Sequence, residues 1–356
     1  MQDAELEDLQ VLLPALLQSL DGLTLIARFL DPDRFPAVME AVGEPDAVLH
    51  AVRGRLAAWP DRLAEVRDRL ATAADEAVAA FVEVRTAAAQ GLDLRAVYRA
   101  LRHAPRAQEA LYPLCALLPP VSRFFLDPAA RGDAGLLARL AAAGPSEATG
   151  VFQIANEPGM RGGFSLYVPE YYAPDRDWPL VVALHGGGGA GRGFLWSWLA
   201  AARARGAILA APTALGETWA LMGEDIDTPN LVRIHDQIAA AWRIDATRCL
   251  LTGMSDGGTF TLLSGLAADA PFTHLAPVAA SFHPLLLSMA EPERLHGLPV
   301  YLVHGALDWM FPVQMGREAR QALAMAGAEV VFREIADLSH TYPRDENGAI
   351  LDWLMG

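Results

Sequence analysis

The sequence predicts an α/β protein, with a doubly wound, mainly parallel sheet in residues 145–356 and an all-helical domain in residues 1–144. Three observations lead to this prediction. At 356 residues the chain is longer than one hydrophobic core usually grows, which favours two domains. Apolar residues of the first part recur every three or four positions, as in helices. The second part instead has short, continuous apolar runs separated by helical text.

Charge and composition exclude several classes of function. The formal net charge of −15 is shared by both parts, about −6 for residues 1–150 and about −9 for the rest. No basic region suited to nucleic acid is concealed in either part, so nucleic acid is excluded as a partner. All 28 basic residues are Arg. The lack of lysine excludes Schiff-base chemistry and lysine-dependent phosphate loops.

Features of the N-terminal part and the cysteines predict a cytoplasmic protein. The first residues, MQDAELEDLQ, are acidic where a secretory signal is basic, so no signal peptide is expected. The apolar run 11–30 is interrupted by Asp21 and Arg28, and we expect no stable membrane insertion. Cys115 and Cys249 lack metal-ligand spacing and are interpreted as buried thiols of a reducing compartment.

The N-terminal part is predicted to be a bundle of six to eight helices. Its clearest helix follows Asp61, a plausible N-cap, and a break at residues 91–93 starts the next. The apolar face of the first of these helices consists of Leu63, Val66, Leu70, Ala73, Ala77, Phe81 and Val84. His50 and His103 are isolated and are not interpreted as catalytic. A homo-oligomer formed through this bundle is a hypothesis.

The pattern changes after a predicted linker at residues 141–150, AAAGPSEATG, where Gly, Pro and Ser end the helical spacing. Eight apolar segments then have the character of strands. They are 150–155, 163–169, the run WPLVVALHG from Trp178, 206–212, 248–253, 274–281, 298–305 and 328–335. Ligands of such sheets bind at the carboxyl ends of the strands.

One serine stands between such a strand and a predicted helix. In TGMSDGGTF, Ser255 is framed by Gly253, Gly257 and Gly258. Glycines relieve crowding where a chain reverses sharply from strand to helix, and such a turn holds a serine at the helix N-terminus. We therefore interpret Ser255 as a nucleophile rather than as an idle hydroxyl.

A nucleophilic serine needs a histidine base, which in turn needs a carboxylate to orient it. Asp308 and His340 each lie just beyond a predicted strand, and the chain order is Ser, Asp, His. Because the carboxyl ends of parallel strands share one edge of a sheet, these side chains can meet there. The predicted catalytic residues are Ser255, Asp308 and His340.

Other histidines and acids remain as alternatives. His283 follows a strand but precedes Asp308, which breaks the chain order. His185 is expected to brace the glycine loop, residues 186–189, that follows it. His304 is expected to pack or to form a hydrogen bond near the turn GALD that follows it. Three further acids are alternatives because their loop can fold over the pocket: Glu224, Asp225 and Asp227.

Four consecutive glycines follow a predicted strand in LHGGGGAGRG, from Leu184. Acyl transfer builds negative charge on a carbonyl oxygen, and a backbone N–H donor placed there is worth roughly 3 kcal/mol. The predicted donors are the N–H of Gly187, with Gly188 as a further candidate, and the N–H of Asp256. A phosphate-binding interpretation is disfavoured because no G-K-[ST] follows.

Five segments of the second part carry a resemblance to a known family: LYVPEYY, PLVVALHGGGG, RIDATRCLLTGMSDGG, LVHGALDWMFPV and LSHTYP. They resemble the α/β-hydrolases of the esterase, phospholipase/carboxylesterase and polyhydroxybutyrate-depolymerase-like group. The resemblance runs from about Gly150 onward and implies that fold and a serine-hydrolase mechanism. Asp256 departs from the Gln or Ala that often follows the serine in this group, which bears on local electrostatics. The helical part resembles no family that we can name.

The sequence thus predicts a serine esterase that acts on an apolar acyl ester through an acyl-enzyme and needs no metal or cofactor. A polyester and a lysophospholipid are candidate substrates. Trp219 and Trp309, together with Met310 and Phe311, are candidate walls of an acyl pocket, and His283 is a candidate contact. The alternative is an acyltransferase or thioesterase with the same triad. A non-catalytic binding protein with the hydrolase fold is a second, less favoured alternative.

Overall fold

An eight-stranded sheet spans residues 150–335 of the computed structural model, which describes residues 3–144 and 146–356. Its strands are β1 (Gly150–Ile154), β2 (Phe164–Val168), β3 (Trp178–Leu184), β4 (Ile208–Pro212), β5 (Ile244–Met254), β6 (His274–Val278), β7 (Pro299–Gly305) and β8 (Glu329–Ile335). Their order is β1-β2-β4-β3-β5-β6-β7-β8. Strand β2 is antiparallel to both neighbours, and every pair from β4 to β8 is parallel. The predicted doubly wound, mainly parallel sheet is confirmed, and all eight predicted strands occur.

Helices of the second part pack on this sheet. They are α9 (Gly191–Arg205), α10 (Asp227–Ala241), α11 (Asp256–Gly265), α12 (Leu285–Met289), α13 (Pro292–Leu295), α14 (Val313–Met325) and α15 (Asn347–Met355). Helix α9 contacts β3 and β4, α11 contacts β5 and β6, and α14 contacts β7 and β8. All seven residues of β3 are buried, as the continuous apolar run requires. Because β3 and β5 to β8 are parallel, the loops after them gather at one edge of the sheet.

The N-terminal part is helical, as predicted, and the described residues up to 144 contain eight α-helices. They are α1 (Asp3–Arg28), α2 (Phe35–Val42), α3 (Asp46–Val52), α4 (Ala64–Ala89), α5 (Leu94–Ala100), α6 (His103–Leu111), α7 (Pro119–Phe124) and α8 (Ala134–Ala142). The predicted apolar face of α4 is buried at Leu70, Ala73, Ala77, Phe81 and Val84. The number of helices lies within the predicted six to eight.

The prediction that Asp61 caps the long helix is wrong. A 3₁₀ turn at Asp61–Leu63 comes first, so α4 starts three residues later and Leu63 takes the N-cap position. The predicted break near residue 92 is present. There, Asp93 caps α5 by accepting a hydrogen bond from the backbone N–H of Arg95 at 2.9 Å.

Helix α1 is apolar for its length. By length and composition alone it could cross a membrane, and half of its most apolar 18-residue window is buried in the structure. Leu16, Leu20 and Leu23 of α1 are fully buried, and α1 contacts α3 and α4. The expectation that the chain does not insert stably into a membrane stays a prediction.

Two units, residues 1–125 and 126–356, have separate sets of internal contacts. The division lies before the predicted boundary between residues 144 and 145, and Pro145 itself lies outside the described residues. Residues 126–144 belong to the second unit and contact its helix α9 and the loop after β2. The backbone N–H of Asp127 donates to the Ala200 carbonyl at 3.2 Å, and the Arg139 guanidinium lies over the Tyr171 ring.

Candidate active site

Ser255 occupies a sharp turn between β5 and α11. Its φ of 56° and ψ of −118° lie in a region that residues with a side chain rarely adopt. Two hydrogen bonds hold this backbone: the Ser255 N–H donates to the Val278 carbonyl at 2.9 Å, and the Ser255 carbonyl accepts from the Thr259 N–H at 2.8 Å. Such conformations persist where the surroundings enforce them, and they cluster at functional sites.

The glycines around Ser255 are required by close packing. A Cβ atom at Gly257 would lie 2.5 Å from the His185 carbonyl oxygen, and one at Gly258 would lie 2.6 Å from the Val278 carbonyl oxygen. A Cβ at Gly253 would overlap the carbonyl oxygen of Gly257. The motif therefore lets β5 and α11 approach each other and the chain that follows β3.

The structure brings the three predicted catalytic side chains together. His340 Nε2 lies 3.0 Å from Ser255 Oγ, and His340 Nδ1 lies 2.9 Å from Asp308 Oδ2. All three residues are buried. A carboxylate can only accept, so Nδ1 carries the ring proton and Nε2 is free to accept one from the serine hydroxyl.

Asp308 is fixed by the backbone of the loop after β7. Its Oδ1 accepts hydrogen bonds from the N–H groups of Met310 and Phe311 at 2.9 and 2.8 Å. The other carboxylate oxygen is thereby aimed at His340. Both oxygens have partners, as a buried carboxylate requires.

The alternative acids have other roles in the structure. Asp225 Oδ1 accepts from the Thr228 N–H at the start of α10. Asp227 is buried, and its two oxygens accept from the N–H groups of Leu215 and Ala220, each at 2.9 Å. Glu224 is exposed, and none of the three acids has a hydrogen bond or ion pair to His340 among the described residues.

The other histidines are likewise engaged elsewhere. His304 Nε2 donates to the Phe311 carbonyl at 2.8 Å and lies 3.6 Å from Asp308 Oδ2. His283 is exposed, and its Nδ1 accepts from the Leu285 N–H at 3.2 Å. The structure therefore does not join His283, a predicted substrate contact, to the Ser255 and His340 pair by any hydrogen bond.

His185 braces the glycine loop, as expected from its position. Its Nδ1 donates to the Gly186 carbonyl at 2.7 Å, and its Nε2 accepts from the Ala214 N–H at 3.2 Å. Burial lowers the pKa of His185 to about 4, so the ring is neutral near pH 7. With both nitrogens engaged, His185 is structural and not a base for Ser255.

The glycine loop after β3 forms a tight turn against Ser255. The Gly189 N–H donates to the Gly186 carbonyl at 3.0 Å, and Gly188 has a φ of 64° that favours glycine. A Cβ at Gly186 would lie 3.7 Å from the Cβ of Ser255. The loop thus lies beside the nucleophile.

Two backbone donors near Ser255 are available to a ligand. The N–H groups of Gly187 and Asp256 have no hydrogen-bond partner in the part of the chain that the structure describes. Asp256 is also the first residue of α11, where N–H groups lack partners within the helix and the helix dipole is positive. This environment suits an oxygen that develops negative charge.

Comparison with known proteins identifies the relatives of this part of the chain. Residues 218–355 match the family model described as phospholipase/carboxylesterase, a range that contains Ser255, Asp308 and His340 but not the glycine loop. Over 117 residues the chain is 32% identical to acyl-protein thioesterase 1 of Neurospora crassa, covering 31% of this chain and 46% of that protein. The second unit, residues 126–356, thus has the α/β-hydrolase fold and is named the hydrolase unit here. The chain spans about half the length of the curated relative that it matches.

Solved structures similar to the chain include a thermostable esterase, at 21% identity and a TM-score of 0.47, covering 58% of this chain and 62% of that one. Another is the fluorophosphonate-binding serine hydrolase FphF of Staphylococcus aureus, at 14% identity and a TM-score of 0.48, covering 58% and 97%. A third is SOBER1 of Arabidopsis thaliana, at 21% identity and a TM-score of 0.42, covering 50% and 97%.

The prediction that Trp219 forms a pocket wall needs correction, because this residue lies in the core of the hydrolase unit. Only 2% of it is exposed. Its indole Nε1 donates to the His185 carbonyl at 2.7 Å, and its rings lie against the rings of His185 and Phe260. A buried indole is stable when its N–H donates to a backbone carbonyl. Trp219 therefore supports the start of the glycine loop through its hydrogen bond to His185.

Trp309 is at the surface of the hydrolase unit and next to the candidate base. Its ring centroid lies 6.1 Å from that of His340, and 47% of the residue is exposed. Phe311 lies edge-on to the same imidazole at 5.3 Å, and Met310 is 47% exposed. These side chains give the site an apolar rim on the side of His340.

Three residues at the site were not singled out from the sequence as its supports. Thr218 Oγ1 donates to Asp256 Oδ2 at 2.6 Å, and Asp227 holds the backbone of the loop after β4. Arg161 Nη1 donates to the Gly189 carbonyl at 3.1 Å and ties a distant loop to the glycine turn. No short-range pattern marks these residues. Thr218 and Arg161 act on residues 38 and 28 positions away, and Asp227 on residues 7 and 12 positions before it.

Proposed function

We propose that the hydrolase unit cleaves carboxylic esters that have an apolar acyl group, through an acyl-enzyme on Ser255. The observation that supports this most directly is the hydrogen-bonded row of Ser255 Oγ, His340 and Asp308, with separations of 3.0 and 2.9 Å. A serine hydroxyl becomes an effective nucleophile when such a base accepts its proton.

In the first step His340 Nε2 accepts the hydroxyl proton while Ser255 Oγ forms a bond to the ester carbonyl carbon. The imidazolium that results is stabilised by the Asp308 carboxylate. The carbonyl oxygen becomes an oxyanion, for which the N–H groups of Gly187 and Asp256 are the proposed donors.

In the second step the tetrahedral centre collapses, and the bond to the alcohol oxygen breaks. His340 gives its proton to that oxygen, and the alcohol leaves. A water molecule then gives a proton to His340 Nε2 as its oxygen attacks the acyl carbon. Collapse of this second intermediate breaks the bond to Ser255 Oγ, which regains the proton, and the carboxylic acid is released.

The apolar rim supports an apolar acyl or alcohol group. Trp309 and Met310 are each about half exposed beside His340, and exposed apolar surface that borders a site favours apolar ligands. Lipid-like and polymeric esters are therefore the first substrates to test.

Thioester hydrolysis is the second candidate, favoured by the match to an acyl-protein thioesterase. The same triad and oxyanion donors serve both reactions, because the acyl-enzyme is identical and only the leaving group differs. An acyltransferase would share the first half of the cycle and replace water with an alcohol.

The test is a panel of p-nitrophenyl esters from acetate to palmitate, with an acyl thioester of matched chain length and a polyester emulsion alongside. We expect hydrolysis that is lost in Ser255→Ala, with a preference for medium or long acyl chains. Faster turnover of the thioester would favour the second candidate, and product ester formed with added alcohol would favour transfer. Wild-type protein that turns over none of these substrates would contradict the proposal and leave a binding role.

A further inference from the structure

The side chain of Asp256 has a partner of its own, apart from the backbone N–H proposed as an oxyanion donor. Its Oδ2 accepts a hydrogen bond of 2.6 Å from Thr218 Oγ1, although 38 residues separate the two. Both side chains are half-buried. A hydrogen bond to a charged acceptor is stronger than one between neutral groups, and such a bond at this length fixes both partners.

The same carboxylate packs against the other proposed donor. A Cβ atom at Gly187 would lie 2.6 Å from Asp256 Oδ2. Real Cβ atoms do not approach another heavy atom so closely. The space that a side chain would fill at Gly187 is therefore occupied by the Asp256 carboxylate. Glycine at position 187 therefore leaves room for the Asp256 carboxylate to pack against the glycine loop.

Thr218 is presented by a segment that is fixed to the glycine loop. In this segment, residues 213–221, the Trp219 indole donates to the His185 carbonyl and the Ala214 N–H donates to His185 Nε2. The buried Asp227 carboxylate accepts hydrogen bonds from two backbone N–H groups of the same segment, those of Leu215 and Ala220. A rigid support of this kind allows one hydroxyl to locate a carboxylate.

We propose that Asp256 is a positioning residue whose carboxylate, held by Thr218, keeps its own amide and the Gly187 amide in the geometry needed by the oxyanion. This inference rests on the proposed hydrolase function. The negative charge itself would oppose an oxyanion nearby, so shape and the hydrogen bond carry the effect. Asparagine has the same shape and can accept the Thr218 hydrogen through its amide oxygen.

The experiment compares kcat and KM of wild type, Asp256→Ala, Asp256→Asn, Thr218→Val and Thr218→Ser on one p-nitrophenyl ester. Misplacing a catalytic donor costs on the order of 10- to 100-fold in kcat. We expect such a loss in Asp256→Ala and Thr218→Val, with KM changed by less than about twofold, since the effect is in the transition state. Asp256→Asn and Thr218→Ser should stay within about threefold of wild type. The double variant Asp256→Ala/Thr218→Val should lose no more than either single variant, because both break one interaction.

Wild-type kcat in Asp256→Ala or in Thr218→Val would overturn the inference, as would losses that multiply in the double variant or that appear only in KM. If Asp256→Ala does not fold, the Thr218→Val and Thr218→Ser pair decides alone, since a loss restored by serine assigns it to the hydroxyl. Failure of the proposed function is a separate result, because it is seen as a wild-type protein without turnover.

Discussion

His340 Nε2 lies 3.0 Å from Ser255 Oγ, although the two residues are 85 positions apart in sequence. The fold makes this contact because both residues follow parallel strands of one sheet, β5 and β8, and thus emerge at the same edge. Asp308 comes from the loop after β7, which lies between them in the sheet order. Three loops that are distant in sequence thereby form one site.

The Asp308→Asn variant tests the assignment of the acid. The amide would keep the size of the carboxylate but would offer a donor to His340 Nδ1, which stabilises the wrong tautomer. We expect kcat to fall by about 10⁴-fold, with little change in thermal stability. Steady-state kinetics with a p-nitrophenyl ester give the result.

Asp225→Asn is the matched control, because Asp225 was an alternative acid and instead accepts from the Thr228 N–H. Its kcat should stay within about twofold of wild type. A large loss in Asp225→Asn together with an active Asp308→Asn would reverse the assignment.

The Gly257→Ala variant tests the packing of the turn. The added methyl would lie 2.5 Å from the His185 carbonyl oxygen, so β3 and α11 must move apart. Overpacking of this kind costs about 1–3 kcal/mol of unfolding free energy, which denaturant titration can measure.

Gly132→Ala is the control for this substitution. A Cβ there has no neighbour within 4 Å, and its stability should change by no more than about 0.5 kcal/mol. Equal stabilities of the two variants would show that the turn at Gly257 tolerates a side chain.

His185 predicts a pH dependence of stability. Its pKa is lowered by burial to about 4 in the folded protein, against 6.5 for an ordinary histidine. Between these values the unfolded chain binds a proton that the folded chain does not. The unfolding free energy therefore falls as pH drops from 6.5 to 4, at up to about 1.4 kcal/mol per pH unit from this group. Above pH 6.5 the ring is neutral in both states and contributes no slope.

The measurement is denaturant unfolding of wild type and His185→Gln at several pH values in that range. Glutamine can donate and accept as the imidazole does, but it does not titrate. The unfolding free energy of wild type, relative to that of His185→Gln, should fall by about 3 kcal/mol in total as pH falls from 6.5 to 4. Parallel curves would mean that His185 titrates normally in the folded protein.

Trp309 predicts a chain-length effect. Its ring is half exposed beside His340, so Trp309→Ala should remove apolar contact with a long acyl chain while sparing a short one. We expect kcat/KM to fall about tenfold for a p-nitrophenyl ester of medium or long chain and little for the acetate. Met325→Ala, at an exposed apolar position on α14, should change neither. A loss of equal size for both esters would argue against an acyl contact.

Much of the sheet was predictable because its signal is local. A fully buried parallel strand needs a continuous apolar run, as in β3, and all eight apolar segments predicted as strands are strands in the structure. The elbow at Ser255 was also local, since its glycines are needed by the turn itself. The start of α4 was misplaced because Asp61 has a capping side chain, yet the chain forms a 3₁₀ turn there.

The interactions behind the site were not predictable in this way. Trp219 looked like a pocket wall, but a carbonyl from His185, 34 residues away, makes its burial favourable. The contact of Thr218 with Asp256 also joins segments that are distant in sequence. Such contacts depend on how the loops pack together at the edge of the sheet. Sequence periodicity predicts helices and strands but not the packing of loops.

The central claim is that Ser255 is the residue that becomes acylated, and labelling with a fluorophosphonate probe tests it most directly. The probe is applied to wild type, Ser255→Ala and the control Ser264→Ala, and the adduct is located by peptide mass spectrometry. Ser264 is a buried serine in α11, the helix that Ser255 precedes. We expect wild type and Ser264→Ala to carry one adduct on Ser255, and folded Ser255→Ala to carry none. Folded wild-type protein that is not labelled, or an adduct that persists in Ser255→Ala, would contradict the account.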